Sequence, residues 1–222
     1  TYDLSDDLHL TLGGRYTDEQ KSFTPDQIIY QNYYAGFSDL VPPDNPLAAL
    51  DAPFLQAGSR ILPLLEKDID ISEFTPMANL SYDLSDDLMV YLSYSEGFKS
   101  GGFTQRVFPP IVAPFTAPVG TADIDLIPTY DPEFVEVLEL GFKGTFAGGR
   151  LRLNGALFST DYEDLQVQVF NSVAPVTQNI GKASIEGIEL ELLASPGNGW
   201  LVESSVSLLD ASYDEIDTGN TL

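Results

Sequence analysis

The chain has 222 residues, and 34 acidic against 10 basic side chains give it a formal net charge of −24. This balance argues against nucleic-acid binding, which needs clustered Lys and Arg; it predicts a well-solvated surface or, alternatively, acidic loops that attract cations. There is no cysteine and a single histidine, His9, which excludes disulfides, thiolate metal sites and zinc sites built from this chain's imidazoles. No apolar run approaches the ~18 residues of a membrane helix.

The heptapeptide YDLSDDL occurs twice, beginning at Tyr2 and at Tyr82. Around each copy apolar and polar residues alternate, which is the period-two pattern of β-strands with one apolar and one polar face. Ser and Asp side chains hydrogen-bond to the nearby backbone and tolerate turn geometry. The heptapeptide therefore predicts the end of one strand, a tight turn and the start of the next strand.

Continued along the chain, the alternation predicts about seven long strands and the stub of an eighth at residues 1–4. The connections between them fall into two classes that alternate strictly. Tight turns are predicted at 5–7, 85–87, 147–149 and 195–199, and long connections at about 24–70, 100–132 and 171–183. A soluble sandwich or propeller rarely segregates its loops in this way, whereas a transmembrane β-barrel has short periplasmic turns and long extracellular loops.

The predicted fold is therefore all-β, a membrane-spanning antiparallel β-barrel. Aromatic residues support it by grouping near both predicted strand ends, as two interfacial girdles require: Tyr2, Tyr82, Phe146 and Trp200 beside tight turns, and Tyr16, Phe74, Tyr94, Phe98 and Phe134 toward the long loops. Several charged residues fall on the polar parity, which would face the lumen: Glu139, Lys143, Arg152, Glu189, Glu191 and Glu203. We expect Lys143 and Arg152 to pair with neighbouring glutamates.

Both ends of the chain are predicted on the long-loop side, and the stub is too short to span a membrane. These strands therefore do not close into a small barrel, and we expect them to form an arc of a larger one. An isolated arc would expose two unpaired strand edges, so we expect these 222 residues not to function alone.

Five segments resemble barrel strands of TonB-dependent outer-membrane receptors, four of them from the later part of the barrel. They are YLSYSEGFKSGGF at 91–103, EVLELGFKGTF at 136–146, RLRLNGALFSTDYEDLQV at 150–167, NIGKASIEGIELEL at 179–192 and, from an earlier strand, GGRYTDEQKSF at 13–23. The resemblance covers nearly the whole chain apart from the long loops. It departs from the family pattern because a plug domain, a TonB box and a final strand ending in an aromatic residue are not found. Residues 1–222 are thus expected to be a partial barrel domain.

The resemblance implies a 22-stranded barrel in the outer membrane of a Gram-negative bacterium, with its lumen closed by a plug. It implies uptake of a scarce nutrient, most commonly a ferric siderophore, with energy from the TonB complex; haem, cobalamin and saccharides are other substrates of such receptors. The expected partners are TonB, the small ligand and outer-membrane lipid. No enzymatic activity and no cofactor are expected, because no nucleophile elbow, phosphate-binding glycine loop or metal-binding His pair is present.

Two groups of candidate residues follow. We interpret the motif residues as barrel framework: Glu96, Gly97, Phe98, Lys99, Gly101 and Gly102. The two glycines would let the strand exit into its loop, and Phe98 would anchor the outer interface. Ligand contacts are expected on the long loops, which carry recognition in a rigid scaffold. The candidates there are Tyr30, Tyr33, Tyr34, Phe103 and Arg106, and the alternative is that the aromatic residues pack the loops.

Two other functions stay open at this point. A passive porin or structural barrel would conduct ions without an energy source. A soluble β-rich adhesin would use the apolar parity as a core between two sheets.

Overall fold

A computed structural model describes residues 1–26, 64–104, 127, 129–171 and 174–215. The described strands are β1 (Tyr2–Asp3), β2 (Leu8–Phe23), β3 (Lys67–Ser85), β4 (Leu88–Lys99), β5 (Gly102–Phe103), β6 (Thr129–Tyr130), β7 (Glu133–Phe146), β8 (Leu151–Glu163), β9 (Gln166–Asn171), β10 (Ala174–Asn179), β11 (Lys182–Gly197) and β12 (Trp200–Glu215). None of the described residues belongs to a helix long and apolar enough to cross a membrane.

Eight of these strands form one sheet in the order β1-β2-β3-β4-β7-β8-β11-β12. Every neighbouring pair is antiparallel. The sheet consists of seven long strands and the two-residue β1, as the alternation predicts. The remaining strands form two small sheets, β5 with β6 and β9 with β10, which lie within the long connections.

The two copies of the repeated heptapeptide form the same kind of turn. The Ser5 hydroxyl accepts hydrogen bonds from the backbone N–H groups of Asp7 and Leu8 at 3.4 and 3.1 Å, and the Ser85 hydroxyl accepts one from Asp87 at 3.3 Å. Each serine thus bonds to the backbone two residues on, which holds a tight turn without help from distant residues.

These two turns lie side by side at one edge of the sheet, the tight-turn edge. Leu8 is paired with Tyr82, and the Asp83 N–H donates to the Asp7 carbonyl at 2.8 Å. The turn after β7 lies at the same edge and uses Ala147, Gly148 and Gly149 at positive φ. The opposite edge, where the long connections leave, is the long-connection edge.

Two strand boundaries at the long-connection edge differ from the prediction. β3 begins at Lys67, within the predicted connection, and β8 ends at Glu163 although the alternation continues through Phe170. Asp164 adopts a φ of 53°, which breaks the extended backbone and which Asp tolerates better than most residues. The alternating residues after it form the separate β9–β10 hairpin, because period two specifies a strand but not its sheet.

The apolar parity forms continuous rows across the sheet. The central row pairs one residue from each long strand with its direct neighbours: Leu10, Leu80, Leu92, Leu140, Leu157, Ile188 and Leu208. Leu80, Leu92 and Leu140 are 40%, 46% and 52% exposed although they lie in interior strands. A half-exposed row of seven aliphatic side chains requires apolar surroundings, as the lipid face of a barrel provides. We call this side the outward face and the other the lumen face.

The outward face changes from apolar to polar residues along a line, its polar boundary, that runs obliquely across the strands. Rows are counted from the central row toward the long-connection edge, one row for every second residue of a strand. The first polar residue on the outward face lies four rows away on β3 (Ser72), two rows away on β7 (Glu136) and one row away on β12 (Asp210). The boundary therefore moves by three rows, or six residues, over five strand-to-strand steps. At ~3.3 Å per residue and ~4.8 Å per strand its slope is about 40°, within the ~35–45° tilt of transmembrane barrel strands.

The lumen face carries the predicted charges, but the predicted ion pairs do not form. Lys143 lies over the Tyr91 ring at 5.5 Å from its centroid, and Tyr91 donates to the Glu139 carboxylate at 2.5 Å. Arg152 makes no salt bridge with the described residues; it shares a cavity of about 310 Å³ with Glu191 and other side chains. The strand register places other residues directly beside these two cations, because Lys143 is paired with Asn154 and Arg152 with Leu193.

The sheet splits toward the long-connection edge. β3 and β4 pair only as far as Met77 and Ser95, whereas β3 stays paired with β2 up to Lys67. The split begins at Pro76, which has no N–H to donate to a neighbouring strand. The upper part of β4 pairs with β7 alone, through Lys99 and Glu133. Side chains, rather than a backbone ladder, must therefore connect the two parts of the sheet above the split.

Candidate functional site

The best candidate for a site is the region where the long connections meet, because they carry the residues predicted to contact ligand. Two of the most deeply buried side chains, Ile127 and Pro25, lie in these connections, and so do Thr104 and Val176, each 5% exposed. We call the assembly of residues 99–104, β6, the base of the β9–β10 hairpin and the end of β2 the mouth junction.

Gly101 and Gly102 allow the close approach of two segments in the mouth junction. A Cβ atom on Gly101 would collide with the Tyr130 carbonyl oxygen, and one on Gly102 would lie 2.6 Å from the Tyr130 hydroxyl oxygen. Neither glycine is among the residues with positive φ. Their role is therefore to leave room for Tyr130, and not to supply the conformational freedom that the sequence suggests.

Lys21 connects β2 with the residues that follow β4, across the split. Its ammonium donates to the Ser100 hydroxyl at 2.8 Å and to the Gly101 carbonyl at 2.7 Å. The Ser100 hydroxyl in turn donates to the Glu19 carboxylate at 2.6 Å, which lies 3.5 Å from Lys21. These bonds are charge-assisted and join residues about 80 positions apart in sequence.

Phe103 contributes a second connection across the split. Its ring stacks on that of Phe23, with centroids 5.6 Å apart and an interplanar angle of 27°. Phe103 thus packs against another aromatic residue, in agreement with the alternative that the aromatic residues pack the loops. A contact of Phe103 with a ligand stays a prediction. The other predicted ligand-contacting residues, Tyr30, Tyr33, Tyr34 and Arg106, lie outside the described residues.

The β9–β10 hairpin is attached to the mouth junction by two amide side chains that the sequence analysis missed. The Gln166 amide donates to the carbonyls of Lys99, Ser100 and Asp131 at 3.3, 3.1 and 3.0 Å. The Asn179 amide donates to the Asp131 and Asp164 carbonyls at 2.9 and 2.7 Å and accepts the Asp131 N–H at 2.8 Å. Their acceptors lie in distant segments, so no local sequence signal identifies these two residues.

The remaining motif residues lie on the upper part of β4, next to β7. Gly97 faces Val135, whose Cγ1 would be 3.1 Å from an added Cβ. Phe98 is paired with Phe134, and the Lys99 ammonium lies 3.7 Å from Glu133. The Glu96 carboxylate accepts a hydrogen bond from the Tyr94 hydroxyl at 2.6 Å. These contacts are the kind that a framework role requires, and that role stays a prediction.

The described contacts of the mouth junction hold segments of the chain together. They are the ion pair of Lys21 with Glu19, the Ser100 hydroxyl that donates to Glu19, and amides that donate to backbone carbonyls. In the described part of the chain, no group of three or more His, Asp or Glu side chains is arranged to hold a metal ion. Such a region can position loops around a ligand that brings its own metal.

Comparison with known proteins identifies relatives of the whole chain. Residues 1–222 match the family described as TonB dependent receptor-like, beta-barrel. The chain is 27% identical over 212 residues to the ferric-pyoverdine 358 receptor of Pseudomonas putida, an alignment that covers 93% of this chain and 20% of that protein. It is 30% identical over 82 residues to the probable TonB-dependent siderophore receptor PiuA of Acinetobacter baumannii, covering 36% of this chain and 10% of that protein.

Solved structures show the same fold. The ferric yersiniabactin uptake receptor FyuA of Yersinia pestis superposes with a TM-score of 0.64 at 19% identity, over 97% of this chain and 26% of that one. The ferripyoverdine receptor of Pseudomonas aeruginosa, solved with ferripyoverdine bound, gives a TM-score of 0.54 at 19% identity, over 96% of this chain and 22% of that one. The chain thus spans only part of the length of each of these proteins.

Proposed function

Because this chain belongs to the TonB-dependent receptor-like β-barrel family, whose members lie in the outer membrane of Gram-negative bacteria, we propose that it forms part of a receptor for a ferric siderophore. Uptake would be driven by the TonB energy-coupling complex. The observation that carries this proposal is the match of all 222 residues to the family, together with relatives named as ferric-pyoverdine and siderophore receptors.

In this proposal the described strands supply the wall of the barrel and the mouth junction positions the long loops at its outer end. A continuous apolar outward face with an oblique polar boundary meets the requirement for lipid contact. The ferric ion is cargo held by the siderophore, so the protein needs no metal ligands of its own. Recognition would rest on the loops and on a plug domain supplied elsewhere in the receptor.

The test is uptake of radioactive iron by the complete receptor in a host that lacks its own ferric-siderophore receptors. Ferripyoverdine, a ferric catecholate and a ferric hydroxamate would be supplied separately, with haem and cobalamin as competitors. We expect saturable accumulation of iron from one class of ferric chelate. Deletion of TonB should abolish accumulation and leave binding at the cell surface intact.

A passive porin is the alternative that this experiment excludes or establishes. Accumulation that persists without TonB and does not saturate, together with ion conductance of the purified protein in planar bilayers, would contradict the proposal. TonB-dependent accumulation of labelled haem or cobalamin, with none from any ferric chelate, would keep TonB-dependent uptake but replace the substrate.

A further inference from the structure

The β9–β10 hairpin is joined to β8 and β11 by two backbone bonds at its base, where the Leu165 N–H donates to the Gly181 carbonyl and the Ile180 N–H donates to the Leu165 carbonyl, each at 3.0 Å. β8 ends at Glu163 and β11 begins at Lys182, and the hairpin between them forms its own two-stranded sheet. An isolated two-stranded hairpin is marginally stable in water. Its orientation on the barrel therefore depends on what holds its two ends.

The amides of one cross-strand pair add side-chain bonds to these two backbone bonds. Gln166 and Asn179 face each other at the base of the hairpin, and five of their six side-chain bonds reach Lys99, Ser100 and Asp131. Lys99 is the last residue of β4, Ser100 follows it, and Asp131 lies just before β7. The backbone N–H of Gln166 adds a bond to the Glu133 carboxylate at 2.7 Å. The hairpin base is thus bonded to two other segments of the mouth junction.

The side-chain type matters at both positions. An amide offers two N–H donors and a carbonyl acceptor on one planar group, and Asn179 uses both functions on the same residue, Asp131. A carboxylate of the same shape would lose the donors and place negative charge against carbonyl oxygens. Loss of these bonds would leave the carbonyls of Lys99, Ser100 and Asp131 without this partner. The hairpin would lose these contacts with the neighbouring segments and keep its backbone bonds at Leu165.

We propose that Gln166 and Asn179 are positioning residues of the receptor: they dock the β9–β10 hairpin onto the mouth junction and thereby set the affinity for the ferric siderophore without contacting it. This inference rests on the proposed function. An ordered loop costs less entropy on binding than a free one, so a hairpin without these contacts would lower affinity without altering the barrel.

The variants are Gln166→Glu and Asn179→Asp in the complete receptor. Gln168→Glu is the matched control, because Gln168 is exposed, lies on the same strand and makes no side-chain hydrogen bond with the described residues. Hydrogen exchange of the purified receptor reports docking. Binding of ferripyoverdine and the other ferric chelates to cells without TonB reports affinity and the number of sites.

We expect both variants to speed amide exchange across 166–179 and to raise the dissociation constant by about tenfold, with the number of sites unchanged and the control like the parent. A role confined to barrel stability would instead reduce the number of sites. Uptake in a host with TonB should show a raised KM with an unchanged maximal rate.

A cross-link supplies an independent test. In a receptor with Asp131→Cys and Asn179→Cys, the two residues lie close enough for the Asn179 side chain to reach the Asp131 backbone N–H, and this chain contributes no other cysteine. Loss of free thiols on oxidation establishes that the disulfide has formed before affinity is measured. Affinity should be low when the pair is reduced and return to the parental value when it is oxidised. Affinity that is insensitive to the redox state would overturn the proposal.

Two further outcomes would also overturn it. Unchanged exchange across 166–179 in both variants would show that the amides do not dock the hairpin, and faster exchange with unchanged affinity would show that docking does not serve binding. If the parental receptor binds none of the chelates, the proposed function fails and the affinity effect fails with it. The exchange comparison would still decide whether these amides dock the hairpin.

Discussion

The wall and the mouth junction are organised by different interactions. In the wall, backbone ladders join neighbouring strands, and each side chain faces outward or toward the lumen according to its parity. In the mouth junction, side chains such as Lys21, Gln166 and Asn179 bond to the backbone of segments far away in sequence. The wall should therefore tolerate changes that keep polarity, whereas the mouth junction depends on individual atoms.

The largest effect is expected from a charge on the outward face of the wall. Leu140→Arg places a cation in the central row, and the cost at mid-depth in a bilayer is ~2–4 kcal/mol of folding free energy. The matched control is Ser93→Arg, on the lumen face opposite Glu139, where the charge gains a partner. Folding of the complete receptor into lipid vesicles, followed by heat-modifiable electrophoresis and urea unfolding, measures both. Equal losses would show that the outward face does not contact lipid.

Gly101→Ala tests the close approach in the mouth junction. The new methyl group would collide with the Tyr130 carbonyl, so we expect a loss of ~1–3 kcal/mol and faster hydrogen exchange in the segments around Gly101 and Tyr130. Gly13→Ala is the control, because its methyl group would meet only the flexible Met77 side chain at 3.1 Å. The same loss of unfolding free energy in both variants would contradict the interpretation that crowding against the Tyr130 backbone causes the loss in Gly101→Ala.

The stack between Phe23 and Phe103 is tested by a double-mutant cycle. We expect Phe23→Ala and Phe103→Ala to destabilise the mouth junction non-additively, with a coupling of ~0.5–1.5 kcal/mol in unfolding of the complete receptor. The cycle also separates packing from ligand contact at Phe103. Reduced siderophore affinity in Phe103→Ala alone, without coupling to Phe23, would favour a direct contact.

The smallest effect is expected at Thr104. Its hydroxyl is buried and has no hydrogen-bond partner among the described residues, so Thr104→Val should raise the free energy of unfolding by at most ~1 kcal/mol or leave it unchanged. Ser100→Ala is the contrasting variant, because the Ser100 hydroxyl bonds to both Lys21 and Glu19 and its loss should destabilise. A clear loss in Thr104→Val would reveal a partner for that hydroxyl.

The wall could be predicted from the sequence because its rules are local. The number of long strands, the position of the tight turns and the facing of Leu92, Leu140 and Leu157 all follow from period-two alternation and from serine and glycine turn chemistry. The serine that caps each copy of YDLSDDL acts on residues only two or three positions away.

The predictions that were wrong required knowledge of neighbours. Alternation through Phe170 indicates strand, but the break at Asp164 assigns the later residues to a different sheet. Lys143 and Arg152 were expected to pair with glutamates, yet the register places Asn154 and Leu193 beside them. Because one face is apolar, the register can change only in steps of two residues, and one such step would place Glu191 opposite Arg152. The register is not visible in one strand alone.

The strands, their turns and the polarity of each face thus follow from the sequence alone, since these depend on residues within a few positions of one another. The mouth junction requires the folded sheet. Its bonds join residues up to 81 positions apart, for example Asn179 with Asp131 and Ser100 with Glu19. Such contacts depend on how strands are ordered and where the sheet splits, and the chain acquires those properties only when its strands pair.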